Sequence, residues 1–374
     1  MKRAVISGSG VYVPPDTISN DEIVSSFNAY VTAFNEQHAA EIAAGTLEAL
    51  QPSSAEFIAK ASGITNRFVM DKKGILDNAV MAPQIAARKE DELSLQAEFA
   101  VEAAKKALQA AHKTAADVDA VIFACSAIQR AYPAMSIEIQ DALGIKGFAM
   151  DMNVACSSAT FALQVAANNI VTNSARCVLI VSPELTTGHV NFKDRDSHFI
   201  FSDAAVAVVI ESIETCTAKH VFEIISCKLR TEFSNSIRND FGFLNRCELK
   251  QEASSETLFR QKGRKVFKEV VPMAANTIIS HLKEQGLNAK TIKRLWLHQA
   301  NVNMDRLIGQ KVFERENISH EDVPIILNEY ANTAAAGSII SFHNYHSDLN
   351  AGDYGVICSF GAGYSIGNII VRKC

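Results

Sequence analysis

One hydrophobic pattern passes through this chain twice. Val118–Ala127, an apolar run closing on small residues, matches Arg294–Ala300 in pattern. The turn and helix around Cys156 match the turn and helix that follow Asn332. Cys177–Ser182 matches Gly355–Phe360, and Ala205–Ile210 matches Ser365–Val371. The correspondence is one of pattern and not of identity, which is how a diverged internal repeat reads. Short buried strands alternating with helical stretches predict an α/β protein. Their repetition predicts two similar halves that meet near 212–220, taken as 1–213 and 214–374. Equivalent turns of two such halves can face each other across a pseudo-dyad, which would place Asn332 near Cys156.

Local signals fill in the rest. Asn20–Glu48 carries one long helical pattern around Phe27, Tyr30, Phe34 and Ile42. Ser54 is placed to cap a helix over Ala55–Ala61 that ends at Ser62-Gly63. Leu93–His112 reads as a helix, and Met135–Leu143 as another that stops at Gly144. Phe199–Phe201 and Ala205–Glu211 read as a hairpin around Ser202-Asp203. Gly8-Ser9-Gly10 is a fragment of a dinucleotide-binding loop, but Val13 stands where its third glycine would be. It is therefore read as a structural turn and not a nucleotide site.

The bulk properties exclude several classes. With 374 residues, the chain is long enough for two halves sharing a core. Hydrophobic residues make up 48% and charged residues 21%, values of a soluble globular protein. A net charge of −5 gives no general case for nucleic acid, so any basic surface must be local. Eight cysteines form no CxxC pair and several sit in apolar runs, which suits reduced thiols in the cytoplasm better than disulfides or zinc. Met1–Ser7 leads straight into a strand-like segment with no signal peptide expected. No apolar run reaches the ~18 residues of a membrane span.

Four stretches could carry chemistry. Cys156 sits before the helix-like segment Ser157–Asn173, where helix N–H groups favour a thiolate. A buried structural cysteine is an equal reading on this stretch alone. His298, in Leu297-His298-Gln299-Ala300-Asn301, ends an apolar strand, the edge at which α/β proteins place catalytic groups; a core histidine is the alternative. Asn332 precedes a run of tiny residues up to Gly337, and could equally be a helix cap. Ser359–Tyr364 is a glycine-rich bend whose N–H groups could hold an oxyanion or simply make a tight turn.

Taken together, Ala155-Cys156-Ser157, His298-Gln299-Ala300-Asn301, Asn332-Thr333 and Phe360-Gly361-Ala362-Gly363 resemble the β-ketoacyl-acyl carrier protein synthase III family of the thiolase superfamily. Ser62–Arg67 is similar to that family's TGI-x-x-R segment and Phe201–Ala205 to its FGDGA, so the resemblance spans nearly the whole chain in order. It implies a thiolase-like fold, two α/β halves in a layered α-β-α-β-α arrangement. It implies that Cys156 takes an acyl group from acyl-CoA, that His298 and Asn332 stabilise the enolate left when malonyl on an acyl carrier protein loses CO2, and that the N–H groups of Cys156 and Ala362 form the oxyanion hole. No metal and no cofactor are implied beyond the substrates. By the same alignment Phe57 and Arg195 would contact CoA. Arg264, Phe267 and Lys268, within the basic run Arg260–Lys268, would meet CoA or the acidic carrier protein; a solvated helix face is the competing reading. A cytoplasmic homodimer is expected by analogy.

The chain also departs from the family pattern. A stretch near 28–53 reads as an insertion, and Asp71–Arg88 is extended. Phe57 replaces a tryptophan, Ala61 and Asn303 replace arginines, and Ser157-Ser158 stand where many members have a glycine, implying a reshaped acyl pocket. The altered entrance suggests a primer longer than acetyl. An acyltransferase or condensing enzyme of secondary metabolism with a different acceptor is the alternative. His343-Asn344-Tyr345-His346 has metal-like spacing but no third ligand nearby in sequence, and reads as helix surface.

Overall fold

The computed structural model describes residues 2–247 and 257–374. One nine-stranded sheet runs through it. Its strands, in chain order, are β1 (Ala4–Tyr12), β2 (Ala120–Ala124), β3 (Phe148–Met152), β4 (Cys177–Leu185), β5 (Asp203–Ser212), β6 (Phe222–Ser234), β7 (Ile292–Leu297), β8 (Tyr354–Gly361) and β9 (Gly363–Lys373). The spatial order is β7-β8-β9-β6-β1-β5-β4-β2-β3.

Read outward from the β6–β1 junction, the two sides repeat. β1 pairs antiparallel with β5, β5 antiparallel with β4, and β4 parallel with β2. On the other side β6 pairs antiparallel with β9, β9 antiparallel with β8, and β8 parallel with β7. β3, parallel to β2, has no counterpart among the described residues and forms one edge of the sheet, with β7 at the other. β2, β4, β5 and β8 are buried throughout or nearly so, which is why their sequences are apolar without alternation.

Three cores between these elements produce the layering. A central core holds helix α4 (Ser158–Val171) and helix α7 (Gly337–Asn344) between strands of both halves. A second core packs helix α3 (Leu95–Ala110) on the outer face of the first half. A third packs α5 (Gly263–Glu284) and α6 (Val302–Phe313) on the outer face of the second. The resulting order is helices, strands, helices, strands, helices.

The expected caps form. Ser54 accepts a hydrogen bond from the Phe57 N–H at the start of α2 (Ala55–Ser62), and Gly63 closes that helix at φ +85°. Met135–Leu143 ends at Gly144 in the left-handed conformation. Other expectations need correction. The 20–48 helix stops at Gln37, followed by a short turn of helix over Ala39–Ala43. Gly8 and Gly10 lie inside strand β1, just after a register shift between Ile6 and Gly8, and not in a turn. A Cβ on either would fall 2.4 Å from the Ala107 oxygen or 2.3 Å from the Ala103 oxygen, so these glycines let α3 pack directly on β1. Residues 199–211 are not a hairpin: Phe201 bridges to Asn332, while β5 pairs with β1 and β4.

The 28–53 stretch extends helix α1 (Asn20–Gln37) and returns as a loop. Asn28 bonds both backbone groups of Ser53 (2.8 and 3.1 Å), and Asn35 bonds both of Leu50 (2.9 and 3.0 Å), closing it like two rungs. His343 and His346 are not free surface. His343 Nδ1 lies 2.8 Å from the Ser9 hydroxyl, and His346 stacks on Phe342. Among the described residues no three His, Cys, Asp or Glu side chains are grouped to hold a metal. No described helix is long and apolar enough to cross a membrane. All eight cysteines are free thiols.

Candidate active site

Cys156 lies on a sharp elbow between β3 and α4. Ala155 adopts φ +47°, a region strained for any residue with a Cβ but least so for a small one. Asn153 holds the elbow from one side. Its Oδ1 accepts from the Ala155 N–H (2.9 Å) and its Nδ2 donates to the Ser126 carbonyl (3.0 Å). Ser158 holds it from the other, accepting from the Val154 N–H (2.8 Å) and donating to the Ala155 carbonyl (2.7 Å). Ser157 bonds to Ser365. Both serines are fully buried and neither lines the cavity, so they lock the elbow and do not reshape the pocket.

The nucleophile faces the Gly361–Gly363 bend at close range. A Cβ on Gly361 would sit 2.6 Å from Cys156 Cβ, so only glycine admits the sulfur here. The Ala362 N–H and the N–H of Cys156 itself both act on that sulfur and favour its charge. They do not win. Burial, aided by the charge of Glu184, pushes the thiol up to about 12. The expectation of a thiolate stabilised by the helix N-terminus is therefore corrected: α4 begins only at Ser158, and desolvation outweighs the backbone donors.

Asn332 lies on the matching turn of the second half. Its backbone bridges the Phe201 segment, its N–H donating to Ile200 O and its carbonyl accepting from the Ser202 N–H, both at 3.1 Å. Its Oδ1 accepts from the Ala334 N–H (2.9 Å), so the amide turns its N–H2 end to the cavity that it lines. Ala331 (φ +50°) and Ala334 (φ +45°) flank it in strained conformations.

His298 follows the end of β7. Its backbone N–H continues the ladder to the Cys358 carbonyl (2.8 Å), and its ring meets Phe360 edge-on at 5.2 Å. Burial pushes the imidazole down to about 4, against a smaller opposing effect of the Ala334 backbone. It is a neutral ring near pH 7, suited to donating an N–H without carrying charge. Gln299 is turned away from the cavity, linking Leu297, Pro324 and Ile326, while Asn301 lines the cavity with its Nδ2 bonded to the Ala61 carbonyl.

One cavity of about 1090 Å³ collects these groups. Cys156, His298, Asn332 and Gly361 all line it. Phe57, Arg195, Arg264, Phe267 and Lys268 line it as well. Ala362 does not, and enters through its backbone N–H. The Arg195 guanidinium lies 4.4 Å from the centre of the Phe57 ring, and its Nε donates to the Pro52 carbonyl (2.8 Å) at the base of the 28–53 stretch. Five cations of the wall (Arg195, Lys262, Arg264, Lys265, Lys268) face two carboxylates, Asp194 and Asp196. The wall is thus locally positive on a chain of net charge −5, which favours phosphates and acidic partners.

Sequence reasoning missed Glu184. This carboxyl at the end of β4 is fully buried and bonds Ser126 and Ala335. The signal was available: a glutamate closing the run Cys177–Pro183, in a strand with no exposed face.

Comparison with known proteins places this geometry. Residues 150–232 match the family model described as 3-Oxoacyl-[acyl-carrier-protein (ACP)] synthase III, and residues 282–373 its C-terminal counterpart. The chain is 54% identical over 350 residues to the β-ketodecanoyl-[acyl-carrier-protein] synthase of Pseudomonas aeruginosa, covering 94% of this chain and 100% of that one. It is 31% identical to the β-ketoacyl-[acyl-carrier-protein] synthase III of Desulfotalea psychrophila, covering 73% and 83%. The solved 3-oxoacyl-[acyl-carrier-protein] synthase III of Aquifex aeolicus superimposes with a TM-score of 0.76 at 24% identity, covering 99% of both chains.

Proposed function

The chain belongs to the 3-oxoacyl-[acyl-carrier-protein] synthase III family of condensing acyltransferases, and from that premise we infer that it joins an acyl-CoA primer to malonyl-acyl carrier protein in fatty acid biosynthesis. The products are 3-oxoacyl-acyl carrier protein, CO2 and CoA. The observation that carries the residue assignment is the convergence of Cys156, His298 and Asn332 on one cavity.

In this reading Cys156 attacks the primer thioester. Its proton ends on the departing CoA sulfur, so a resting thiol and not a thiolate is consistent with the step. The tetrahedral oxyanion is held by the N–H groups of Cys156 and Ala362, the donors that already act on the sulfur. Malonyl-carrier protein then binds with its thioester carbonyl between His298 and the Asn332 N–H2. Loss of CO2 leaves an electron pair that spreads onto this oxygen as an enolate. Two neutral donors stabilise it without having stabilised the malonyl carboxylate, which favours the transition state over the bound substrate. The enolate carbon attacks the acyl-Cys156 carbonyl. The sulfur leaves and is reprotonated, consuming one proton overall. The residues need no metal or redox cofactor for these steps.

Arg195 with Phe57, and Arg264 with Phe267 and Lys268, are proposed to hold CoA and the carrier protein at the positive wall. The Pseudomonas relative is named for a β-ketodecanoyl product. Two of that product's carbons come from malonyl, so by analogy the primer here is medium-chain. The division at 213/214, a homodimer and a cytoplasmic location complete the reading. Incubation with a panel of acyl-CoAs, followed by mass measurement of Cys156, tests it. Medium-chain acyl groups should label Cys156 and then yield 3-oxoacyl product with malonyl-carrier protein. Labelling only by acetyl would remove the primer assignment, and transfer only to an alcohol or amine would remove the condensation.

A further inference from the structure

Glu184 has no part in the steps above, yet it is bonded to both halves of the site. Its Oε1 accepts from the Ser126 N–H (2.9 Å) and from the Ala335 N–H (3.2 Å). Its Oε2 accepts from the Ser126 hydroxyl (2.5 Å). Ser126 in turn receives Asn153, which holds the Ala155 N–H one residue before the nucleophile. Ala335 follows Ala334, whose N–H fixes the Asn332 amide and whose backbone acts on the His298 ring. The carboxyl therefore touches the turn of Asn332 directly, at Ala335, and reaches the elbow of Cys156 through Ser126 and Asn153.

We propose that Glu184 is a positioning residue that keeps the Cys156 elbow and the Asn332 turn in register. This rests on the catalytic roles assigned above. Carbon–carbon bond formation needs the enolate, held by the second half, to lie in line with the acyl carbon held by the first. Acyl transfer to Cys156 needs only one turn, and malonyl decarboxylation needs only the other. Loss of register should spare the separate reactions and damage their coupling, since a misplacement of about 1 Å costs about 10²-fold in rate. Glu184 also touches the site electrically. Its charge faces Cys156 and Cys125 and raises both thiols. Burial brings the carboxyl itself up to about 7.

Two substitutions separate these effects. Gln at 184 can keep every bond, its oxygen accepting from both N–H groups and its amide donating to the Ser126 hydroxyl. Ala keeps none. For Glu184→Ala, acyl labelling of Cys156 and CO2 release from malonyl-carrier protein should each fall less than about tenfold, while 3-oxoacyl product falls about 10²-fold. CO2 would then be released with acetyl-carrier protein as the dominant product. For Glu184→Gln, CO2 and 3-oxoacyl product should stay in step, and alkylation of Cys156 by iodoacetamide should move to lower pH. The proposal is overturned if Glu184→Ala leaves CO2 and product in the wild-type ratio. If that variant does not fold, uncoupled CO2 release in Glu184→Gln overturns it. Failure of wild-type enzyme to label or decarboxylate would instead remove the functional reading beneath it.

Discussion

The turn over 153–158 and the turn over 331–337 occupy equivalent places in the two halves, and each leads into a helix of the central layer. Both hold small residues at positive φ, Ala155 in the first, Ala331 and Ala334 in the second. Both use an asparagine Oδ1 to tie down a backbone N–H two residues on, Asn153 to Ala155 and Asn332 to Ala334. They differ in what is left for a substrate. Asn153 spends its second end on Ser126, so its turn offers the sulfur of Cys156. Among the described residues no such bond takes up the Asn332 N–H2, so its turn offers the amide itself. One scaffold thus yields a nucleophile on one side and a donor on the other, by changing what satisfies a single side chain.

The sharpest way to break the comparison is to remove one offering at a time. Cys156→Ala should abolish acyl labelling and lower condensation by about 10⁵-fold or more, while CO2 release from malonyl-carrier protein persists. Loss of both activities together would mean that the turns are not separable. Asn332→Ala should do the reverse. It removes a donor to the enolate and frees the Ala334 N–H, so decarboxylation and condensation should fall about 10²–10³-fold while single-turnover labelling of Cys156 changes less than tenfold.

Strain offers a gentler probe. Valine at 155 or at 334 places a branched side chain at φ near +46°, and each should cost about 1–3 kcal/mol in denaturant unfolding. An unchanged midpoint for either would show that its turn is not strained in solution. The smallest effect is on pH. His189, His198, His281, His298 and His346 are each lowered to about 4 by burial, so they favour the folded state above the unfolded value near 6.5 and lose that contribution as pH falls toward 4. Glu184 and Asp203, raised to about 7 and about 6, and Asp305, raised well above its usual value, act in the opposite sense. The histidines outnumber them, so the melting temperature should drop as pH goes from 6.5 to 4. A flat profile would show that burial does not hold these rings neutral.

Strand and helix positions, the caps at Ser54, Gly63 and Gly144, and the pairing of the two halves' patterns were readable from sequence because each depends on local periodicity or on one residue's conformational preference. Cys156 was readable as a residue before a helical stretch, His298 as the end of an apolar strand and Asn332 as the residue before a run of tiny side chains, and their motifs carried the family resemblance. What the sequence could not carry was decided by packing. The glycines of β1 looked like a loop until α3 was laid on them. Ser157 and Ser158 looked like pocket residues until their hydroxyls were seen to bond into the elbow. The ionisation of Cys156 reversed, because a helix terminus is a local feature whereas desolvation depends on everything folded around the sulfur. Glu184 is the clearest case. Its neighbours Ser126 and Ala335 lie 58 and 151 residues away in the chain, and only the fold brings one carboxyl against both the Asn332 turn and the residue that braces the Cys156 elbow.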